Sequence, residues 1–184
     1  MKTVVDNIIY YDNLFNGIKE IGNNEGWEEK FFPDLGMTFQ EAMKTIAGWQ
    51  MHHAWCVYLS KLIWKLAYDK TGDSTMLKTL DTLFSPNAVQ TWKNFQKSDF
   101  RCDNILSPGS ILIWQLYKNG KPTTSGHASN VISGSEIVVE TIDGNTSSKN
   151  HRDGDQIANK TWLINFNKKS GLVPLGFIHP IEIL

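Results

Sequence analysis

The sequence lacks an excess of charge of either sign. Its 184 residues hold 18 lysines and arginines against 19 aspartates and glutamates, a formal net charge of −1. No block of like charge occurs along the chain. Proteins that bind DNA or RNA usually carry a basic excess or stripe, because they must neutralise phosphates. The composition therefore argues against nucleic acid as the main partner.

Long apolar runs are also missing. No stretch reaches the ~18 apolar residues of a transmembrane helix, so we expect no membrane insertion. The opening stretch MKTVVDNIIYYDNLFNG has one lysine, but neither a continuous apolar segment nor a small-residue cleavage site. A secretory signal needs both of these features. We therefore expect the chain to be made and kept in the cytoplasm unless another factor releases it.

Cysteine is scarce, since Cys56 and Cys102 are the only two. Two cysteines do not make the disulfide framework of a small secreted domain. Cys56 nevertheless stands at the front of a strongly apolar segment, WCVYLSKLIWKLAY, directly after Trp55. Cys102 lies in the polar stretch FRCDN, and we interpret it as structural or incidental.

The two halves of the chain differ in pattern. Up to about residue 107, four stretches read as helices: NLFNGIKEIG, TFQEAMKTIAGW, AWCVYLSKLIWKLAYDKTG and SPNAVQTWKNFQ. Beyond it, short segments rich in β-branched and aromatic residues alternate with turn clusters: SILIWQLY, HASNVIS, EIVVETI, TWLINF and GFIHPIEI. Closely linked strands pair antiparallel. The sequence therefore predicts one α+β domain over residues 1–184, with helices packed on an antiparallel sheet of about five to six strands.

Capping signals predict three helix boundaries. The helix in NLFNGIKEIG would end at Gly22. Thr38 and Glu41 have the spacing of a capping box. Ser85 and Pro86 fit an N-cap followed by the first helical position.

The position of Cys56 suggests a nucleophile. A cysteine attacks as its thiolate, and at an unperturbed pKa of ~8.5 only a few per cent is ionised at neutral pH. A helix N-terminus favours the thiolate through its unpaired N–H groups and partial positive charge. The same groups can receive a developing oxyanion. The alternative is that Cys56 is one more apolar residue of a buried helix.

A thiolate nucleophile needs a base, and His127 is the strongest candidate among the five histidines. It begins the predicted strand in TTSGHASNVIS, and a strand start is a rigid place from which to aim an imidazole. His52 is only four residues from Cys56, whereas such a base usually comes from elsewhere in the fold. His151 lies in a polar loop, and His179 precedes a proline. The alternative for His127 is a strand histidine satisfied by local hydrogen bonds.

A third group would orient the histidine ring. The predicted strand in EIVVETIDGNTSS ends in Asp143-Gly144-Asn145. Either Asp143 or Asn145 could favour the charged imidazole, as the third member of a catalytic triad. Strand alternation puts these two on one side and Glu140 on the other, which makes Glu140 the weaker candidate. The alternative is a simple turn, because Asp-Gly and Gly-Asn are common turn dipeptides.

Together these motifs resemble the CHAP family of cysteine- and histidine-dependent amidohydrolases and peptidases, and the neighbouring NlpC-type wall peptidases of the papain-like clan. AWCVYL resembles the W-C-A-x-F opening of that family, and SPGSILIWQ resembles P-G-D-I-V-V-W. GHASNVIS resembles G-H-V-G-I-V, and VETIDGNTSS resembles I-x-T-I-E-G-N-T. IGNNEGWEEKFF looks like its G-x-x-E helix, and AVQTWKNF like its short tryptophan-bearing helix. The correspondence covers residues 18–166, with the motifs in the family's order.

The resemblance implies a papain-like fold with Cys56 as the nucleophile, His127 as the general base and no cofactor. Asp143 stands where the family usually has Glu, and Asn145 where it has Asn. Because Asp is one methylene shorter than Glu, the main orienting partner of the ring is either Asp143 or Asn145. Ser110 replaces the usual acid of P-G-D, a change that we expect to affect only local geometry.

The implied substrate is bacterial peptidoglycan, cleaved at an amide bond by a cysteine endopeptidase or an N-acetylmuramoyl-L-alanine amidase. The loops YKNGKPTTSG and DGNTSSKNHRDGDQ would flank the cleft. Trp49, Trp55 and Trp114 are candidates for a sugar- or peptide-facing surface, with core packing as the alternative. The expected lack of a signal suggests a phage or prophage lysin released by a holin, or an effector delivered by a secretion system. We expect a monomer.

Three other functions stay open. A catalytically silent wall-binding or scaffold module would keep the fold without the activity. A metal site could form from His52, Cys56, Cys102 and His127, although no C-x-x-C or H-E-x-x-H pattern supports it. A papain-like protease or effector acting on a non-wall substrate, or transferring an acyl group to an amine, would rest on fold analogy alone.

Overall fold

The computed structural model describes residues 3–146 and 155–183. Two small hairpins lie between the first two helices: β1 Glu20–Ile21 with β2 Gly26–Trp27, and β3 Phe31–Phe32 with β4 Met37–Thr38. The helices are α1 Val4–Phe15, α2 Phe39–Ala42 with a π-helical turn Met43–Ala47 after it, α3 Cys56–Asp69, α4 Ser74–Leu83 and α5 Ala88–Phe95. Within the described ranges, no helix is long and apolar enough to span a bilayer.

The main sheet follows the helices along the chain. Its strands are β5 Cys102–Asp103, β6 Ile111–Lys118, β7 Lys121–Gly134, β8 Val138–Thr146, β9 Gln156–Leu163 and β10 Gly171–Ile178. Their spatial order is β5-β10-β6-β7-β8-β9, and every neighbouring pair is antiparallel. The predicted α+β class, with helices first and an antiparallel sheet after them, is confirmed.

The first helix begins and ends earlier than the sequence pattern predicted. Thr3 and Asp6 form a capping box at its start. It ends at Phe15, because Gly17 adopts a φ of +87° and donates its N–H to the carbonyl of Ile157 at 2.8 Å. The prediction of a helix over NLFNGIKEIG is therefore wrong. The helix predicted for IGNNEGWEEKFF is wrong too, since β1 and β2 pair there.

The remaining helix boundaries follow side-chain caps. Thr38 and Glu41 form the predicted capping box. Helix α5 is capped by Asn87 rather than by Ser85, so the predicted start is two residues early. Helix α4 has no counterpart among the predicted helices. Only Leu80 among its residues is buried, which leaves a weak apolar pattern.

Helix α3 is the central element of the fold. It is buried nearly all round, as predicted, and it packs against α1 and against β7 and β8. One large apolar cluster fills the space between the helices and the sheet. A smaller cluster covers the opposite face of the sheet, and its buried members are Leu112, Trp114, Val131, Val139 and Phe177. This packing holds the N-terminus of α3 against the two strands that carry the candidate site.

Candidate active site

Cys56 is the first residue of α3, and the tryptophan before it fixes its position. Trp55 is the fully buried N-cap residue, and its indole N–H donates to Oε2 of Glu20 at 2.9 Å. Its ring packs edge-on against Trp27, with 5.2 Å between the ring centroids. The thiol therefore lies at a well-anchored helix N-terminus, where backbone N–H groups have no partner within the helix.

Strand β7 brings His127 to this end of the helix. The ladder between β7 and β8 begins at the pair Asn130–Ile142, and His127 and Ala128 lie beyond that pair. There the backbone N–H of Ala128 and the ring of His127 both act on the Cys56 sulfur and favour its ionised form. The thiol thus lies where the two strands separate.

These contacts make Cys56 more acidic than an ordinary cysteine. Burial by itself raises the pKa of the Cys56 thiol. The hydrogen bond and positive charge of His127, with the N–H groups of Ala128 and Val57, outweigh burial and hold that pKa below its usual value. Burial instead raises the pKa of Cys102 to about 11. Of the two cysteines, Cys56 is therefore the one that favours the thiolate.

Asp143 orients the His127 ring. Nε2 of His127 lies 3.1 Å from Oδ2 of Asp143, its diagonal neighbour on β8. Asp143 is completely buried, and the same oxygen accepts a hydrogen bond from the indole N–H of Trp162 at 3.1 Å. Because Nε2 faces Asp143, Nδ1 is the ring nitrogen left for the thiol of Cys56.

The groups around His127 favour its imidazolium form. Burial alone would lower the pKa of His127. Hydrogen bonds with Asp143 and Cys56, together with their negative charges, raise it to about 10. A protonated His127 and a deprotonated Cys56 therefore stabilise one another, and the two groups titrate as a pair.

Of the two candidate orienting residues, Asp143 makes the contact with His127. Asn145 adopts a φ of +55° beside an irregularity in the β8–β9 ladder, and its buried Oδ1 accepts no hydrogen bond from a described residue. No hydrogen bond joins Asn145 to His127 in the described ranges. Glu140, the weaker candidate, accepts a hydrogen bond from the hydroxyl of Thr161 at 2.9 Å.

The three tryptophans predicted to face the substrate are buried instead. Trp49, Trp55 and Trp114 are 3%, 0% and 2% exposed. Trp49 donates to the carbonyl of His53 at 2.8 Å, and Trp114 donates to Oγ of Ser129 at 3.0 Å. Their burial favours the alternative of core packing over the predicted substrate-binding role. These large aromatic side chains build the core, and their polar atoms are used inside it.

The metal site considered from the sequence does not form. Among residues 3–146 and 155–183, no three His, Cys, Asp or Glu side chains are grouped to hold a metal ion. His52 is exposed in the loop before α3, and Cys102 lies on the edge strand β5. The predicted cleft loop DGNTSSKNHRDGDQ, with His151, falls largely on residues 147–154, outside the described residues.

Sequence reasoning missed two residues that support the site. Trp162 donates to the carboxylate of Asp143, and Glu20 anchors the indole of Trp55. Trp162 lies in a strand that was predicted, but its contact depends on the β8–β9 register, in which it pairs with Val139. Register was not deduced from the sequence. Glu20 lies in a segment that was predicted to be helical.

No protein-family model, curated protein or solved structure matches this chain. A thiol at a helix N-terminus, an imidazole beside it and a carboxylate behind the imidazole are the parts of a nucleophilic acyl-transfer site.

Proposed function

We propose that the chain is a cysteine hydrolase that cleaves an amide bond, with Cys56 as nucleophile, His127 as general base and acid, and Asp143 as orienting residue. One observation carries the proposal. The His127 ring acts on the Cys56 sulfur and favours its thiolate, and Nε2 of the same ring lies 3.1 Å from Oδ2 of Asp143. A buried histidine satisfied only by its local strand neighbours would not need a thiol on one side and a buried carboxylate on the other.

The reaction would take two steps. The Cys56 thiolate attacks the carbonyl carbon, and backbone N–H groups at the start of α3 stabilise the oxyanion. The C–N bond then breaks as His127 gives its proton to the leaving amine, which leaves a thioester on Cys56. Next, His127 takes a proton from water, and the hydroxide breaks the thioester into a carboxylic acid and the free thiol.

Peptidoglycan is the proposed substrate, through a stem-peptide bond, a cross-bridge bond or the amide between muramic acid and L-alanine. The support is the resemblance of the motifs around Cys56, His127 and Asp143 to the CHAP and NlpC-type wall hydrolases. The order of elements also fits the papain-like arrangement that we propose for this chain. A cysteine-bearing helix comes first, and an antiparallel sheet with the histidine follows.

Digestion of purified peptidoglycan tests this proposal. The wild type should release new amino groups from walls, Cys56→Ala should release none, and EDTA should change neither result. Mass spectrometry of the fragments would then name the bond. Cleavage of denatured proteins but of no wall chemotype would favour a protease or effector with a non-wall substrate. A folded wild type that cleaves neither would favour a catalytically silent module.

A further inference from the structure

A second aspartate, Asp12 on α1, is buried close to the proposed triad. Asp12 is 0% exposed, and neither of its carboxyl oxygens has a hydrogen-bond partner among the described residues. The carboxamide of Asn130 lies beside it, and the charge of Asp143 acts on it. Oδ1 of Asn130 is also buried without a donor. An ionised carboxylate here would be an unpaired buried charge, which proteins avoid by keeping the proton.

Asp12 and Asp143 have opposite surroundings. Two neighbouring buried carboxyl groups do not both ionise readily. Asp143 receives hydrogen bonds from His127 and Trp162, and these stabilise its anion. Burial raises the pKa of Asp12 well above its usual value, against a lowering by Asn130, and the charge of Asp143 raises it further. The two environments therefore differ, because Asp143 has two donors on one oxygen whereas Asp12 has no donor among the described residues.

The elements packed on α1 bring no cation to Asp12. On α3, Lys61 and Lys65 both pair with Asp81 of α4. The negative charge of Asp69, at the end of α3, acts on the neighbouring Tyr11 of α1. On β7, the ionisable neighbour of the site is His127, and its Nε2 is taken by Asp143. No cation of the described residues acts on Asp12, and only the Asn130 carboxamide favours its ionised form.

We propose that Asp12 is a positioning residue that carries its proton in the folded protein and donates it to Oδ1 of Asn130, leaving Asp143 as the single anion beside His127. This inference rests on the proposed roles of Cys56, His127 and Asp143. The bond would join α1 to β7 at the Asn130–Ile142 pair, next to the point where β7 and β8 separate around the thiol. Asp12 would thereby help to set the strand geometry that brings His127 to Cys56.

Thermal unfolding of wild type and Asp12→Asn at several pH values tests whether Asp12 is protonated in the folded protein. If Asp12 is protonated when folded and ionised when unfolded, wild-type stability falls as pH rises above the usual aspartate pKa of ~3.9. Asn cannot titrate, so Asp12→Asn should gain stability relative to wild type between about pH 4 and pH 7. A relative loss, or no change with pH, would overturn the proposal. Asp81→Asn is the matched control. Because ion pairs lower the pKa of Asp81 despite its partial burial, this variant should lose stability relative to wild type as pH rises.

The positioning role is tested through the ionisation of Cys56. Its midpoint is measured from the thiolate absorbance against pH in a Cys102→Ser background. Asp12→Asn keeps the neutral partner of Asn130 and should retain the wild-type midpoint. Asp12→Ala removes that partner and should raise the midpoint, because His127 is less well placed. A wild-type midpoint in the alanine variant would overturn the positioning role. A raised midpoint in the asparagine variant would show that a neutral carboxamide cannot replace Asp12, and it would overturn the proposed neutral contact with Asn130.

A carbon NMR titration of the aspartate carboxyl groups shows directly whether Asp12 is ionised, and it does not require the alanine variant to fold. The Asp12 resonance, assigned with Asp12→Asn, should remain that of a protonated carboxyl at neutral pH, and an ionised one would overturn the proposal. None of these measurements uses a wall substrate. If they succeed and peptidoglycan is not cleaved, the substrate assignment fails while the inference about Asp12 stands.

Discussion

Nε2 of His127 and Oδ2 of Asp143 lie 3.1 Å apart, and the carboxylate that makes this contact is completely buried. The same oxygen accepts a hydrogen bond from the indole N–H of Trp162. The imidazole is therefore fixed with one nitrogen on a buried anion and the other toward the Cys56 sulfur. In this arrangement the hydrogen bond and positive charge of His127 favour the thiolate of Cys56.

Cys56 and Cys102 should differ in reactivity. At neutral pH, iodoacetamide should modify Cys56 first, because His127 and backbone N–H groups lower the pKa of its thiol, whereas burial raises that of Cys102 to about 11. Peptide mapping by mass spectrometry gives the two extents of modification. In denaturant both cysteines should react alike, which serves as the control. Faster labelling of Cys102 in the folded protein would contradict the assignment of the nucleophile.

Trp162→Phe should lower kcat/KM without unfolding the protein. The change removes one of the two donors to Oδ2 of Asp143. A hydrogen bond to a charged group is worth roughly 1.5–3 kcal/mol, so we expect kcat/KM to fall at least about tenfold. Asp143→Ala, which removes the carboxylate itself, should cost more. Trp92→Phe, a core change away from the triad, is the control, and an equal loss of activity there would contradict a specific role for Trp162.

Gly144→Ala should separate the helix from the strand that carries Asp143. A Cβ at Gly144 would lie 2.7 Å from the ring of Trp55, the N-cap residue of α3, and 2.8 Å from Cδ2 of Leu59 within α3. We expect a large loss of activity in a protein that still folds. Gly36→Ala, which meets open space at a φ of +66°, should cost roughly 1 kcal/mol of stability and no activity. Equal activity in both variants would contradict the close packing of α3 on β8.

Trp114→Phe should act on stability rather than on substrate binding. The change removes the indole N–H and leaves Oγ of Ser129 buried without its donor. An unsatisfied buried group costs about 1–3 kcal/mol, and urea unfolding should show a loss of this size. KM of the folded fraction should stay unchanged. A raised KM with full stability would restore the substrate-facing role that burial argues against.

Helix α3 could be predicted because its signals are local. A nearly continuous apolar run after Trp55 predicts a buried helix, and its first residue is Cys56. Strands β6 to β8 were predicted for the same reason, from β-branched residues between turn clusters. Strands β9 and β10 each begin five residues before the predicted segments TWLINF and GFIHPIEI. The chain near Gly17 was not predictable in this way. There a helical apolar pattern is overridden by a left-handed glycine and by a hydrogen bond to a distant strand.

The choice between Asp143 and Asn145 could not be made from the sequence. Both residues were placed on one side of the strand by alternation. The choice depends on the left-handed backbone of Asn145 and on the irregular β8–β9 register beside it. Tryptophan burial is a similar case, because Trp49 and Trp114 sit in motifs near the site while their side chains point into the core. The motifs predicted that these residues lie near the site but not where their side chains point.

The most direct test of the central claim is the ultraviolet titration of the Cys56 thiolate in Cys102→Ser protein, with and without His127→Ala. With His127 present, the midpoint should lie below the ~8.5 of an ordinary cysteine. Without it, burial should push the midpoint above that value, because the positive charge and hydrogen bond that lower the pKa are gone. The same midpoint in both proteins would contradict the thiolate–imidazolium pair on which the proposed function depends.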